Sequence, residues 1–191
     1  GVYSFPLFSA AFCRALAAEV HAVNRSELAP RLLRPNSMNR YGVIVSQIGL
    51  RRFVALLLAR VLRPIAAALF AEEHGASLDH THAFVVQYEP DRDRLLDMHI
   101  DDAEVTFNVN ILDEFQGCGL RFCGMHGAFE RRKHSLTYEH RLGRCVVHAG
   151  SHRHGADTID SGERLNLIVW CRSSQYRASR AFADYRRRAA G

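Results

Sequence analysis

The stretch HIDDAEVTFNVN, residues 99–110, decides the fold because its polar and apolar residues alternate as they do in a β-strand. Successive side chains of a strand point to opposite faces of the sheet, so residues two apart share a face. On this pattern one face carries Val105, Phe107 and Val109, and the other carries Thr106, Asn108 and Asn110. The same spacing places His99 and Asp101 side by side at the start of the strand. Such a pair is either an exposed ion pair or part of a metal site.

Other short runs rich in β-branched or aromatic residues follow the first, with Gly, Pro, Asp and Asn between them. The predicted strands cover residues 82–88, 95–100, 104–111, 119–122, 144–150 and 164–171. Strands at this spacing predict an all-β sandwich or barrel. The basic segment 126–143 is predicted to be a surface excursion between two of these strands.

The first third of the chain is predicted to form helices that support this β-region. The segment FSAAFCRALAAEVHAV, residues 8–23, has apolar residues at helical spacing, and Ser9 is placed to cap its N-terminus. A second helical region runs from Leu50 to Ala71, and Pro64 predicts a break or kink in it. We therefore expect a single domain, divided into helical support, a β-core and a basic tail: 1–75, 80–175 and 176–191 of residues 1–191.

Composition and charge exclude several functional classes. The net charge is +5, but the sequence contains no recognisable nucleic-acid-binding motif, so no nucleic-acid partner is expected. Five scattered cysteines without a CxxC motif predict reduced thiols. The most apolar stretch, residues 54–70, is too short for a membrane span. We expect a soluble protein with no membrane partner and no targeting segment in this chain, in a compartment that the sequence does not reveal.

A histidine cluster in VVHAGSHRHGADTIDSGERLNLIVW, residues 146–170, supplies a third candidate ligand. His148, His152 and His154 all precede Arg164, and His154 lies ten residues before it. We predict a hairpin-like return that brings His154 and Arg164 to neighbouring strands. Two histidines and one carboxylate form a facial triad that leaves three coordination positions open, as in non-haem Fe(II) oxygenases. His152 is either a solvated loop residue or a contact beside the site.

The chain resembles the Fe(II)/2-oxoglutarate-dependent dioxygenases, on the prolyl and lysyl hydroxylase branch. The matching stretches are FVVQY (84–88), HIDDAEVTFNVNI (99–111), FQGCGLRF (115–122) and HAGSHRHGADTIDSGER (148–164). The resemblance implies a double-stranded β-helix, the jelly-roll or cupin-like fold, with N-terminal helices packed on one sheet. It assigns Fe(II) to His99, Asp101 and His154, and the 5-carboxylate of 2-oxoglutarate to Arg164. Cys118 departs from the glycine that is usual in the family at a turn.

Three further residues are candidate contacts of 2-oxoglutarate: Tyr88, Asn166 and Thr106. In resembling enzymes a tyrosine near the position of Tyr88 bonds the distal carboxylate, and the alternative is a core tyrosine. Asn166 shares a strand face with Arg164, and Thr106 lies on the polar face of its strand. Each of these two is either a pocket residue or a structural one.

The resemblance also implies an activity, the hydroxylation of an unactivated C–H bond with O2 as oxidant and succinate and CO2 as products. It favours a prolyl or lysyl residue of a protein or peptide over a small molecule as substrate, and ascorbate dependence is an expectation of the family. The alternative is a non-catalytic jelly-roll module that uses a metal for structure or interaction. A broken triad or a lost arginine would favour that module, and the sequence shows neither.

Overall fold

A computed structural model describes residues 1–125 and 134–189, which form two antiparallel β-sheets and several helices. The strands are β1 (Val2–Pro6), β2 (Gly42–Ile44), β3 (His80–Tyr88), β4 (Leu96–His99), β5 (Val105–Gly117), β6 (Leu120–Met125), β7 (Leu136–Tyr138), β8 (Arg144–Ala149), β9 (His152–Ala156) and β10 (Ile159–Arg172). The helices are α1 (Ala10–Asn24), α2 (Arg51–Leu57), α3 (Arg63–Leu69), α4 (Ser174–Arg177) and α5 (Arg180–Ala189). Short 3-10 turns cover Ala29–Arg31, Val45–Ile48 and Gly75–Ser77.

The strand order is that of a jelly roll. In the described residues the major sheet has the order β1-β8-β5-β10-β3-β2, and the minor sheet has the order β4-β9-β6-β7. From β3 onward the chain passes repeatedly between the sheets, because β3, β5, β8 and β10 lie in the major sheet while β4, β6, β7 and β9 lie in the minor sheet. This alternation winds the chain into a double-stranded β-helix. The predicted fold class, mainly β with flanking helices, is confirmed.

Strand β5 separates two environments, as its alternating sequence predicts. Phe107 and Val109 pack in the main apolar core, which also contains buried residues of α1, α2 and α3. The side chains of Thr106 and Asn108 lie on the opposite face and line a cavity between the two sheets together with His154 of the minor sheet. The helices therefore cover the outer face of the major sheet, and its polar inner face lines the cavity.

The two predicted helical regions are present. Helix α1 begins directly after Ser9, whose Oγ accepts a hydrogen bond from the backbone N–H of Phe12 at 3.2 Å. The second region is interrupted by a π-helical turn at Leu58–Leu62, after which Pro64 lies in the first turn of α3, where its missing N–H costs no intrahelical bond. Within the described ranges, no helix is both long enough and apolar enough to cross a membrane.

We expect Ser9→Ala to destabilise the protein by about 1 kcal/mol, because it removes the side-chain acceptor for the N–H of Phe12. The loss would appear as a lower denaturation midpoint in urea with an unchanged slope. Ser9→Asp is the matched control, since it keeps an acceptor at the cap and should retain most of the stability. Equal losses in the two variants would contradict this role of Ser9.

Four strands differ from the prediction. β1 and β2 lie at the two edges of the major sheet, so residues 1–75 contain strands as well as helices. β1 pairs with β8, and β2 pairs with β3, so both are formed by partners far along the chain, which a local pattern does not reveal. β7 lies within the predicted excursion 126–143, of which residues 126–133 are outside the described residues, and β9 occupies the predicted histidine loop.

The predicted hairpin-like return between His154 and Arg164 is wrong. His154 lies on β9 in the minor sheet, and Arg164 lies on β10 in the major sheet. Turn-forming residues show that the chain changes direction but do not show which sheet the next strand joins. The connection crosses between the sheets, so the two side chains line the same cavity from opposite sides.

Candidate metal centre

Two strands of the minor sheet bring the candidate ligands together. β4 ends at His99, and its antiparallel pairing with β9 sets His99 directly opposite His154. Asp101 follows β4 by two residues, and its backbone N–H donates to the carbonyl of Gly150 at 2.9 Å. His99 and Asp101 are therefore close because they are neighbours in the sequence. The pairing of β9 with β4 brings His154 to the same place.

The three side chains form a compact donor set. One ligand atom from each of His99, Asp101 and His154 can be chosen so that all lie within 4.8 Å of one another. The Nε2 atom of His99 lies 3.4 Å from Oδ1 of Asp101, and the Nε2 atom of His154 lies 3.5 Å from Oδ2. Nitrogen and carboxylate oxygen donors in this ratio suit a divalent first-row metal such as iron.

The ring orientations of both histidines are fixed by the backbone. The Nδ1–H of His99 donates to the carbonyl of Asp97 at 2.7 Å, and that of His154 donates to the carbonyl of His152 at 2.9 Å. A carbonyl oxygen only accepts, so these bonds place a proton on Nδ1 and leave the Nε2 lone pair for a metal in the neutral imidazole.

Burial and charge act in opposite directions at this centre. Burial alone would raise the pKa of Asp101, but His154, His99 and the hydroxyl of Thr106 outweigh it and hold that pKa well below its usual range. Burial lowers the pKa of His154, and the carboxylate of Asp101 only partly opposes this. Burial also lowers the pKa of His99, but Asp101 outweighs it and the net shift is upward. The carboxylate thus stays ionised, which is the form that binds a metal.

Thr106 supports the carboxylate from the neighbouring strand. Its hydroxyl donates to Oδ2 of Asp101 at 2.6 Å, and both side chains are buried. The sequence predicts Thr106 as a contact of 2-oxoglutarate, and the structure places it against Asp101, a candidate metal ligand. A bond of this kind orients a metal-binding carboxylate.

We expect Thr106→Val, which keeps the side-chain shape but removes the hydroxyl, to raise the dissociation constant for Fe(II) about tenfold. An anaerobic titration with Fe(II) measures this. Thr106→Ser retains a hydroxyl and should bind Fe(II) close to wild type. If the valine variant bound Fe(II) as tightly as wild type, the proposed orienting bond would be of no consequence.

Arg164 is a buried cation at the other end of the cavity. Only 1% of its surface is exposed. Its Nη1 donates to the carbonyl of Cys118 at 2.6 Å and lies 3.1 Å from the Cys118 Sγ, and its Nε donates to Oδ1 of Asn166 at 3.1 Å. None of the ion pairs in the described ranges involves Arg164. A buried guanidinium without a counter-charge is expensive, and an anionic ligand would offset that cost.

Tyr88 and Asn166 lie on either side of this arginine. The guanidinium carbon of Arg164 lies 5.0 Å from the centre of the Tyr88 ring. Burial raises the pKa of Tyr88 to about 12 although the nearby Arg164 opposes the shift, so the hydroxyl remains protonated. Asn166 also receives a hydrogen bond from Asn110 at 3.0 Å and donates one to Asn108. These polar side chains hold the strand face from which the arginine extends.

Several residues near the site have roles that the sequence does not reveal. Cys118 has a φ of 55°, so it occupies the left-handed backbone conformation for which glycine is usual, and its carbonyl and thiol face Arg164. His148 is fully buried, and its ring centre lies 4.5 Å from that of His154. His152 lies in β9 rather than in a loop, and its carbonyl orients His154. The positive φ could have been suspected from the glycines that flank Cys118.

Comparison with known proteins identifies a matching domain family and several similar proteins. Residues 1–75 match the OGFOD2-like domain family. Over 184 residues the chain is 39% identical to the 2-oxoglutarate and iron-dependent oxygenase domain-containing protein CP2 of Arabidopsis thaliana, with coverage of 93% of this chain and 47% of that protein. Over 179 residues it is 40% identical to the 2-oxoglutarate and iron-dependent oxygenase domain-containing protein 2 of Homo sapiens, with coverage of 93% and 51%.

The chain is a homologue of these oxygenase domain-containing proteins. The resemblance that the motifs predict is therefore confirmed. The chain spans about half the length of these relatives.

Solved structures with the same fold come from enzymes of different activity. A prolyl-4-hydroxylase from Pseudomonas putida superposes with a TM-score of 0.64 at 21% identity, covering 91% of this chain and 92% of that chain. The non-heme alpha-ketoglutarate-dependent epimerase SnoN from nogalamycin biosynthesis superposes with a TM-score of 0.63 at 19% identity, covering 91% and 79%. At these identities the likeness establishes the jelly-roll fold alone, and the reaction has to be argued from the site.

Proposed function

We propose that the chain is an Fe(II)- and 2-oxoglutarate-dependent dioxygenase. The observation that carries the proposal is the combination, in one cavity, of the His99, Asp101 and His154 donor set and the unpaired buried guanidinium of Arg164. A metal alone would explain the donor set but not the arginine. A dicarboxylic co-substrate explains both, because one end can bind the metal while the other pairs with the guanidinium.

The donor set fits Fe(II) in the chemistry of its atoms. His99 and His154 would supply neutral Nε2 donors, and Asp101 would supply an ionised oxygen held by Thr106. Three protein ligands leave positions for a bidentate 2-oxo acid and for O2. When bound, the iron and 2-oxoglutarate would activate O2, so that one oxygen atom enters succinate as CO2 is released and the other converts a C–H bond of the substrate to C–OH.

The protein residues bind, orient and shield the reactants. Arg164 would pair with the 5-carboxylate in a two-point contact, and the protonated hydroxyl of Tyr88 is available as a further donor. Asn166 holds the guanidinium in place through Nε and thereby fixes the orientation of the planar fork. Asn108 and Thr106 line the inner face of β5 between the two ends of the cavity. The enclosing sheets keep bulk water from the reaction.

We propose a prolyl or lysyl residue of a protein or peptide as the substrate. Two relatives support this choice, the prolyl-4-hydroxylase that shares the fold and a viral protein named procollagen lysyl hydroxylase and glycosyltransferase, which is 27% identical over 176 residues. The latter match covers 87% of this chain and 19% of that protein. We further propose that the 191 residues act as one oxygenase domain, with the basic C-terminal segment as its tail.

A coupled assay tests the proposed reaction. Purified protein with Fe(II), ascorbate, O2 and 2-oxoglutarate would be incubated with peptides that contain proline or lysine, and mass spectrometry would follow a gain of one oxygen. Succinate should form in equal amount to the hydroxylated peptide. Hydroxylation of neither residue type, together with succinate formation, would reject the substrate class but retain the oxygenase. Failure to form succinate under any condition would favour the non-catalytic module.

A further inference from the structure

A segment of seven residues, Pro35–Tyr41, crosses the open side of the cavity. We call this segment the strap. Buried Asn39, half-buried Asn36 and exposed Met38 border the same cavity as the donor set and Arg164. The strap leads into β2, where Gly42 passes so close to β3 that a side chain would collide with the carbonyl of Val85.

The strap is attached at both ends by polar contacts. At its start, Nε2 of His82 lies 3.0 Å from the carbonyl of Pro35. At its end, Oδ2 of Asp93 accepts hydrogen bonds from the backbone N–H groups of Arg40 and Tyr41 at 2.6 and 3.3 Å. Such an arrangement holds the ends of a segment in place and leaves its middle to move if the contacts there break.

The middle of the strap is held by Asn39. Its side chain is 2% exposed, and its Nδ2 donates to the hydroxyl of Tyr88 at 3.2 Å. Asn36 prepares this contact, because its Oδ1 accepts from the backbone N–H of Asn39 at 2.7 Å and its Nδ2 donates to Oδ1 of Asn39 at 3.1 Å. The amide of Asn39 is thereby turned so that its nitrogen faces Tyr88.

The contact with Tyr88 connects the strap to the arginine. The ring of Tyr88 faces the guanidinium of Arg164, so Asn39, Tyr88 and Arg164 form a continuous row. With the strap in this position the cavity offers about 30 Å³ to water-sized molecules. That volume holds roughly one or two waters. A dicarboxylate of the size of 2-oxoglutarate needs several times as much space.

We propose that the strap is a gate for the co-substrate and that Asn39 is the positioning residue that closes it through Tyr88. The inference rests on the proposed function, because it takes 2-oxoglutarate as the molecule that passes. The strap opens when the bond between Asn39 and Tyr88 breaks, which admits the dicarboxylate to Arg164. Re-formation of that bond after the dicarboxylate leaves returns the strap to the closed position, in which the cavity is too small to hold it.

Protease sensitivity reports the opening of the strap. Arg40 is the single arginine or lysine in the strap, so trypsin can cut the strap at the bond between Arg40 and Tyr41. Loss of one hydrogen bond favours the open form by about three- to tenfold, and Asn39→Ala should increase the rate of this cut by that factor. Bound Fe(II) and 2-oxoglutarate should speed the cut in wild type, because the dicarboxylate fits the cavity only when the strap is open. Ser37→Ala, at an exposed position of the same strap, is the matched control and should cut at the wild-type rate.

The kinetics of 2-oxoglutarate binding show whether Asn39 controls a gate or only supports the local structure. Under anaerobic conditions, stopped-flow mixing with 2-oxoglutarate should show binding about three- to tenfold faster in Asn39→Ala than in wild type, with the affinity for Fe(II) unchanged. Tyr88→Phe removes the other half of the same bond. The double variant should therefore bind 2-oxoglutarate no faster than the faster of the two single variants.

Two outcomes would overturn the gate. One is wild-type protein that binds 2-oxoglutarate but is cut at Arg40 equally fast with and without it. The other is an Asn39→Ala variant that binds 2-oxoglutarate at the same rate as wild type and Ser37→Ala. Both require that wild type binds 2-oxoglutarate, so either one rejects the gate and leaves the proposed function standing. Wild type that binds no 2-oxoglutarate rejects the proposed function and the gate with it.

Discussion

Asp101→Ala is expected to weaken Fe(II) binding by at least about 100-fold and to abolish oxygenase activity. Removal of a residue that only supports a ligand typically costs about 10- to 100-fold in metal affinity, and loss of a ligand should cost more. Asp101 is the single carboxylate of the donor set, and its two oxygens face the Nε2 atoms of His99 and His154. The variant would leave two neutral nitrogens, which bind Fe(II) weakly. Anaerobic titration with Fe(II) measures the affinity directly.

Asp102→Asn is the matched control for this experiment. Asp102 is the next residue in the chain, but its carboxylate pairs with Arg172 and Arg177 at the surface. Exposed pairs of this kind contribute little, so we expect near wild-type stability and Fe(II) affinity. Equal weakening of Fe(II) binding in the two variants would attribute the effect to general disturbance of the segment and would contradict the role of Asp101 as a ligand.

Arg164→Met is expected to raise the dissociation constant of 2-oxoglutarate by about 100-fold or more while leaving the Fe(II) affinity within about twofold of wild type. The arginine is the buried cation of the cavity, and its charge-assisted bonds to a carboxylate have no substitute in a thioether. The two ends of the cavity are built from different sheets, so loss of the arginine should leave the donor set intact. Parallel titrations with Fe(II) and with 2-oxoglutarate give the two affinities.

Thermal unfolding gives an independent view of the same variant. A ligand present at about 100 times its dissociation constant stabilises a protein by about 2.7 kcal/mol, so 2-oxoglutarate with Fe(II) should raise the melting temperature of wild type. This increase should disappear in Arg164→Met. The variant without ligand should melt no lower than wild type, because it also removes a buried charge without a counter-charge. Arg164→Lys keeps the charge without the planar fork and should show a partial increase. A full increase in Arg164→Met would contradict the assignment.

The fold could be predicted largely from residues whose pattern is local. The alternation in residues 105–110 identifies β5 and assigns its side chains to the helical core or to the opposite face, which borders the cavity. The expectation that His99 and Asp101 begin this same strand is wrong, because His99 ends β4 in the minor sheet and Asp101 lies between the two strands. Ser9 and Pro64 mark helix boundaries by their own chemistry, and the structure has helix starts at both. His99 and Asp101 are only two residues apart, so their proximity follows from the sequence as well.

The remaining features depend on contacts between distant parts of the chain. β9 contains two residues of the histidine cluster, His152 and His154, and a glycine, and only its pairing with β4 and β6 makes it a strand. Which sheet each strand joins follows from the way the whole chain winds, so the sequence could predict that His154 and Arg164 come close but not that they face each other across the interior. The contact between Asn39 and Tyr88 spans 49 residues and gives no periodic signal.

An anaerobic absorption titration of the purified chain tests the central claim most directly. Fe(II) is added first and 2-oxoglutarate second, with Asp101→Ala and Arg164→Met measured in parallel. The account predicts a visible charge-transfer band between iron and 2-oxoglutarate in wild type, no band in Asp101→Ala, and a band in Arg164→Met only at far higher 2-oxoglutarate concentration. Wild type that binds Fe(II) but gives no band at any concentration of 2-oxoglutarate would contradict the account.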